Sequence, residues 1–427
     1  MTDKAKPKVA VVGGFRTPFA RSMTAFMGVS NSELMTASLK ALVESYGLHN
    51  QELGEVALGA VIKHSKDWNM ARECTLSSGL SPRTPAYDLQ QACGTSLEAA
   101  ILVANKIALG QIDSGIAAGT DTNSDLPIVF SKRFSHSLMN SVKGKSLGDK
   151  VKPFFQLRPK DLKPVVPGVI EPRTGLSMGQ SCELMAQQWQ ISRQDQDQLA
   201  YASHQNAIKA YEEGFYSDLV TGFHSLKVDA LPRKDTSLEK LAKLKPVFAD
   251  PNVGTLTAGN STALTDGSAA VLLASPEWAK QRSLPILAYI TEAQTAAVNF
   301  VDEEGLLMAP AYAVPRMLQR AGLSLQDFDF YEIHEAFAAQ VLCTLKAWES
   351  DEFCTQKLGL DKAMGSIDRS RLNVKGGSVA LGHPFAATGA RIVASLAKML
   401  HEKGSGRGLI SVCTAGGMGV TAILEAP

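Results

Sequence analysis

The stretch QQACGTSLEAAILVANKIALGQIDSGIAAGT, residues 90–120, carries the pattern that decides the fold. From Leu97 to Leu109 only Glu98, Asn105 and Lys106 are strongly polar, so a helix here is apolar on nearly every face. Such a helix is expected to be buried all round. Gly110 ends it, and Gly115–Gly119 then has the small, apolar character of an enclosed strand. Working outward, Lys8–Val12 reads as a strand, Ser32–Tyr46 as a helix stopped at Gly47, and Val56–Ile62 as a further strand. Strands alternating with helix-length segments indicate an α/β fold.

The same pattern returns near the other end. VKGGSVALGHPFAATG (374–389) leads into a helix over Ala390–Leu400, then a Gly-rich turn, then a strand over Gly408–Val412. TAGNSTALTDGSAAVLLAS (257–275) closes the first half much as CTAGGMGVTAILEA (413–426) closes the second, each a small-residue loop feeding a strand. Two duplicated halves are therefore expected, 1–280 and 281–427. Between about 126 and 248 the alternation breaks down and Pro, Lys and Arg accumulate, which reads as an inserted loop domain. Residues 131–173 hold ten basic side chains against three acidic ones, a candidate phosphate-binding surface in competition with a merely solvated face.

Bulk properties narrow the function. The 427 residues include 43 basic and 42 acidic side chains, so no overall field favours nucleic acid. Six scattered cysteines without a C-x-x-C pair argue against a disulfide framework or a zinc ribbon and point to a reducing compartment. MTDKAKPKVAVVGG passes from a charged lead straight into a strand pattern, with neither a signal core nor a presequence, and no apolar run is long enough to span a bilayer. A cytoplasmic location is the expectation.

Four side chains carry chemistry. Cys93 precedes a buried helix, where unpaired N–H groups and the helix dipole are expected to lower its pKa from about 8.5 and prepare a nucleophile. A lone cysteine in a core is more often inert, so the argument needs partners. His383 lies in a loop bracketed by Gly376, Gly377, Gly382 and Gly389 and is placed to accept a thiol proton or donate to an oxyanion. Cys413 stands at the carboxyl end of strand GLISV before a Gly-rich turn, and His334 follows FDFYEI, both at strand ends where ligands of α/β folds gather. HEAFA lacks the second His of a zinc signature, so no metal is expected.

Taken together, RTPFAR (16–21), ACGTSLEA (92–99), SMGQSCE (177–183), GNSTALTDGSAA (259–270), HEAFAAQ (334–340), GGSVALGHPFAATGAR (376–391) and CTAGGMG (413–419) resemble the thiolase family along essentially the whole chain. The resemblance implies a five-layer αβαβα sandwich. It also implies CoA-dependent cleavage of a 3-ketoacyl-CoA, with coenzyme A as substrate and no cofactor. Under it, Cys93 matches the acylated nucleophile, His383 the group that activates it, and Cys413 the acid/base at the α-carbon. His334 matches a position usually held by Asn that helps to hold the thioester oxygen. The backbone N–H groups of Cys93 and Ala415 would form a second oxyanion hole, and Ser177, Met178, Asn260 and Thr262 match substrate- or CoA-binding positions. Ala415 and Ala386 each stand where Gly is common, which adds a methyl but removes no N–H. His334 and Ser177 are similar to thiolase subunits of fatty-acid β-oxidation complexes. That implies degradation of longer chains and an enoyl-CoA hydratase/3-hydroxyacyl-CoA dehydrogenase partner, while the family resemblance itself implies a homodimer or homotetramer. The competing readings are a biosynthetic acetoacetyl-CoA thiolase, a ketoacyl or hydroxymethylglutaryl-CoA synthase, a catalytically idle acyl-CoA- or lipid-binding relative, and a zinc protein on the four Cys and His side chains.

Overall fold

A computed structural model describes residues 8–302 and 304–427; the charged lead before residue 8, read above as free of a presequence, lies outside the described residues. Strand β1 (Val9–Arg16) and short β2 (Ala20–Arg21) precede helix α1 (Asn31–Ser45), which starts on a capping box between Ser30 and Glu33. Then come β3 (Glu55–Gly59), α2 (Met70–Ser77), β4 (Ala86–Asp88), α3 (Thr95–Ala108) and β5 (Ser114–Asp121). The expected strand to Ile62 stops at Gly59, because the N–H groups of Val61 and Ile62 turn to the carboxylate of Asp121 instead of a neighbouring strand.

Residues 122–264 form the excursion between β5 and β6 (Thr265–Ala274). It is more helical than a loop domain: α4 (Lys132–Lys143), α5 (Leu147–Val151), α6 (Met178–Gln188), α7 (Arg193–Glu212) and α8 (Leu238–Ala242). Helices α6 and α7 carry Cys182, Met185, Ala200 and Ala207 into the core, whereas Val142, Leu147 and Phe155 of the 131–173 segment stay exposed. After α9 (Pro276–Gln281) the second half runs β7 (Ala288–Ala297), α10 (Ala309–Ala321), β8 (Phe330–Ile333), α11 (Ala338–Glu349), α12 (Asp351–Gln356), α13 (Ser378–Leu381), α14 (Thr388–Lys403), β9 (Arg407–Thr414) and β10 (Met418–Glu425).

Strand order is β4-β3-β5-β6-β1-β7-β10-β9-β8, with β2 beside β6. The duplication is visible in the pairing. Parallel β3/β5, antiparallel β5/β6 and antiparallel β6/β1 on one side are repeated as parallel β8/β9, antiparallel β9/β10 and antiparallel β10/β7 on the other. Val9–Val11 against Ala288–Ile290 joins the two half-sheets.

The inner strands β1, β5, β6, β9 and β10 are buried on both faces almost throughout, whereas β7 and β4 are largely half-buried. One face of the first half-sheet takes α1 and α2 onto Val12, Val56, Ile116 and Leu272. One face of the second takes α10 and α11 onto Leu409 and Ile423. Between the half-sheets lie α3 and α14, packed against Val11, Ala117, Val271, Val412 and Val420. The result is five layers, αβαβα. The two central helices touch so closely that a Cβ on Gly389 would fall 2.3 Å from the backbone nitrogen of Leu97.

The expectation that the first central helix is buried all round is corrected. Glu98, Ile101 and Leu102 are only partly buried and Asn105 is exposed, a stripe at helical spacing that the described elements cover only in part, Thr295 of β7 donating to Glu98 at 3.1 Å. Helix α14 is the more enclosed of the pair, buried continuously from Thr388 to Ala397.

Candidate active site

Both central helices begin on a threonine after one 3-10 turn, Ala92–Gly94 before α3 and Phe385–Ala387 before α14. The first turn carries Cys93, the only one of the six cysteines that keeps a partly exposed face. Thr95 Oγ1 accepts from Gln91 N at 2.9 Å and donates to Ala92 O at 2.7 Å, which clamps the turn. His383 sits just before the second turn, past Gly382, whose φ of +97° a side chain would strain. His383 N donates to Thr265 Oγ1 at 3.1 Å, and Nδ1 lies 2.6 Å from Thr388 Oγ1.

His334 leaves the end of β8, its N–H held by Ser411 O at 2.8 Å and its Nδ1 2.9 Å from Ser378 Oγ. The two imidazoles are 4.1 Å apart between ring centroids, tilted by 48°. Ligating atoms of Cys93, His334 and His383 all fall within 4.8 Å of one another. Because each Nδ1 is engaged, each Nε2 remains as a buried nitrogen without a protein partner. Two unpartnered imidazole nitrogens beside a thiol suit a reacting oxygen or proton in transit. The three side chains could also approach a metal, but Cys413 belongs to an apolar cluster with Cys182, Met185, Leu307 and Phe337 rather than to a ligand set.

Charge is scarce in this pocket. Burial pushes the Cys93 thiol up to about 12, against the opposing pull of the Ala415 N–H and of its own N–H, with Asp121 adding to the rise. The direction is opposite to the expected lowering: burial of the thiol outweighs the two N–H groups that oppose it. Burial, then Arg391, lowers His383 to about 3, and burial, then His383 and Arg391, holds His334 well below the ordinary imidazole range. Cys413, fully enclosed and beside Cys93, is held well above the ordinary thiol range, as an acid kept loaded would be. The free site is therefore neutral: two thiols and two neutral imidazoles.

The remaining sequence candidates have structural partners. Ser177 caps α6, with Oγ accepting from Gln180 N at 3.2 Å and donating to Gln180 Oε1 at 3.0 Å. Asn260 is buried, its Nδ2 donating to Asp197 Oδ1 at 3.0 Å and its Oδ1 accepting from Thr257 N at 2.7 Å. Thr262 Oγ1 donates to Ser378 O at 2.8 Å, and its N–H goes to Ala336 O, so the 260–264 loop binds both histidine loops. Met178 packs on the cluster that contains Cys413. Ser177, Asn260 and Thr262 thus hold walls in place with their side chains.

Sequence reasoning passed over three residues. Asp121, at the end of β5, accepts from Ala386 N at 2.8 Å and Ile62 N at 2.8 Å and so ties the His383 loop to the first half. Glu335 accepts from Ser203, Asn373 and Val379 N and fixes the His334 loop against α7. Arg391 lies buried beneath Ser378. Charged residues inside otherwise apolar runs, such as the Arg of ATGARIVASLA, were the available signal.

Comparison with known proteins identifies the family. Residues 9–277 match the family model "Thiolase, N-terminal domain" and residues 284–426 "Thiolase, C-terminal domain". The chain belongs to the thiolase family. It is 42% identical over 431 residues to the 3-ketoacyl-CoA thiolase of Colwellia psychrerythraea (strain 34H), covering 100% of this chain and 98% of that protein. Against the 3-ketoacyl-CoA thiolase of Yersinia pestis (strain Pestoides F) it is 42% identical over 424 residues, 98% of this chain and 97% of that one. The crystal structure of Bacillus anthracis acetyl-CoA acetyltransferase superposes with a TM-score of 0.82 at 30% identity, over 99% of this chain and all of that one.

Proposed function

We infer that this chain is a 3-ketoacyl-CoA thiolase, an acyltransferase that uses coenzyme A as substrate and needs no cofactor. The observation that carries the reading is the convergence of Cys93, His334 and His383 within 4.8 Å, with Cys413 at the adjoining strand end. The relatives named 3-ketoacyl-CoA thiolase support it over the full chain.

In this reading Cys93 gives its proton to His383 Nε2 as its sulfur bonds to C3 of the 3-ketoacyl-CoA. The C2–C3 bond then breaks, and its electron pair passes into the thioester as an enolate, whose oxygen is held by His334 and His383. Cys413 protonates C2, and acetyl-CoA leaves. The thiol of a second CoA gives its proton to the Cys413 thiolate as its sulfur attacks the acyl-Cys93 carbonyl, while the N–H groups of Cys93 and Ala415 hold that oxygen; as the bond to Cys93 breaks and the shortened acyl-CoA departs, the Cys93 sulfur takes its proton back from His383. Support for the second hole comes from the approach of both N–H groups to the Cys93 sulfur.

The same reading takes 1–280 and 281–427 as the two halves, with the insert at about 126–248. It gives the basic 131–173 surface to the CoA phosphates, and the segments of Ser177, Met178, Asn260 and Thr262 to the walls of the acyl and CoA cleft. It further includes degradation of longer chains, a cytoplasmic enzyme, a homodimer or homotetramer, and an enoyl-CoA hydratase/3-hydroxyacyl-CoA dehydrogenase partner. The half-open stripe of α3 supports assembly, and among the described residues no helix is long and apolar enough to cross a membrane. The test is CoA-dependent cleavage across 3-ketoacyl-CoA substrates from C4 to C16, with peptide mass spectrometry of the trapped acyl group. Acylation is expected at Cys93. An acyl group on Cys413, or no cleavage at any length, would overturn the reading.

A further inference from the structure

Arg391 is a buried charge for which the reaction has no direct use. It is 2% exposed, inside the central helix, yet its Nη2 donates to Ser378 Oγ at 2.9 Å. The same Ser378 oxygen lies 2.9 Å from His334 Nδ1. A guanidinium has only donors, so Ser378 must accept from it, and the serine hydroxyl keeps one hydrogen to place. The other partner of that hydroxyl is His334 Nδ1. Were Nδ1 to carry a hydrogen, Ser378 would accept twice, and its own hydrogen would be buried without an acceptor, at a cost of roughly 1–3 kcal/mol.

We propose that Arg391 and Ser378 form a relay that locks His334 in the tautomer with hydrogen on Nε2, so that a donor faces the reacting oxygen. The relay rests on the oxyanion role of His334 proposed above. Arg391 and Ser378 are positioning residues, since neither reaches the reacting atoms. His334 is neutral in this environment, so the position of its single ring hydrogen decides whether it donates or accepts. With hydrogen on Nδ1 instead, a bare Nε2 lone pair would face the enolate oxygen and repel it.

His383 has no such lock. Among the described residues Thr388 Oγ1, at 2.6 Å from its Nδ1, receives no guanidinium hydrogen, so no obligatory donor fixes the direction of its hydroxyl. That freedom suits a ring that takes the Cys93 proton and later returns it.

The test uses the full-length enzyme labelled with 15N-histidine, with His334 assigned by its loss in His334→Asn. Wild-type His334 should show a protonated Nε2 and a bare Nδ1. Ser378→Ala should mix the tautomers and lower kcat about tenfold or more with KM for the 3-ketoacyl-CoA little changed. That is less than the roughly 10²–10³ expected for outright loss of a donor. Ser378→Thr, which restores the hydroxyl, should recover the wild-type tautomer and part of kcat. Hydrogen on Nδ1 in wild type would overturn the relay, and this readout does not depend on whether Ser378→Ala folds. An unchanged tautomer and kcat in folded Ser378→Ala would overturn it equally. An active enzyme with the Nδ1 tautomer sinks the relay alone; failure to cleave any 3-ketoacyl-CoA sinks the proposed function, while the tautomer still reports on the relay.

Discussion

The turn before α3 and the turn before α14 are the same device used twice. Each is one 3-10 turn ending on a threonine at the head of a central helix, and the helices lock together through Gly389 on Leu97 and through Ala390 N donating to Ser96 Oγ at 2.8 Å. Yet Thr95 spends its hydroxyl on backbone and leaves Cys93 free, whereas Thr388 spends its own on the ring of His383. Duplication supplies a common frame, and one side chain ahead of each helix decides what that half contributes. The closing turns diverge too: β9 reaches β10 through residues 415–417, while β5 reaches β6 only after residues 122–264. A frame that is held rigidly can vary its loops without moving the atoms that react.

The largest expected effect comes from removing the part that only one half has. Cys93→Ala should abolish both half-reactions, since no acyl-enzyme forms. Cys413→Ser should still acylate slowly but lose exchange of acetyl-CoA α-protons with solvent; exchange at the wild-type rate would show that the two cysteines are not divided in this way. For the histidines, His334→Ala should lower kcat on the order of 10²–10³ through loss of one oxyanion donor. His383→Ala should cost more, because it also removes the base, and equal losses would erase the distinction drawn between them.

A pH profile tests the neutral site. With the Cys93 thiol near 12 and His383 near 3, neither group is charged around neutrality. Alkylation of Cys93 by iodoacetamide should therefore climb steadily from about pH 6 to about pH 9, because the thiolate fraction rises with pH well below the thiol pKa. A flat, fast rate over that range would reveal a preformed thiolate–imidazolium pair. Smallest and most salt-sensitive is the insert: Lys152→Ala or Arg133→Ala should raise KM for CoA modestly, with the effect fading as ionic strength increases. Unchanged KM would leave the basic face merely solvated.

The fold was legible wherever a residue's neighbours in the chain are also its neighbours in space. The apolar run of Leu97–Leu109, the glycines around His383 and the strand before Cys413 announced a buried helix, a tight loop and a strand end, because periodicity and φ preference are local properties. The thiolase motifs extended that reading to the four side chains proposed to react. What stayed hidden depends on distance through space. The half-open stripe of α3 could not be foreseen, since how far a helix is covered is set by the elements packed on it. Nor could the sign of the Cys93 shift, where burial opposes the helix terminus and only the surrounding structure decides which prevails. Asp121 reaching Ala386, 265 residues away, and Arg391 holding Ser378 beneath His334 are equally silent in the sequence. The chain by itself determined which thiols and imidazoles are available to the site. The tertiary structure alone determined their desolvation and hydrogen-bond partners, because both arise from atoms that meet only once the two halves have packed face to face.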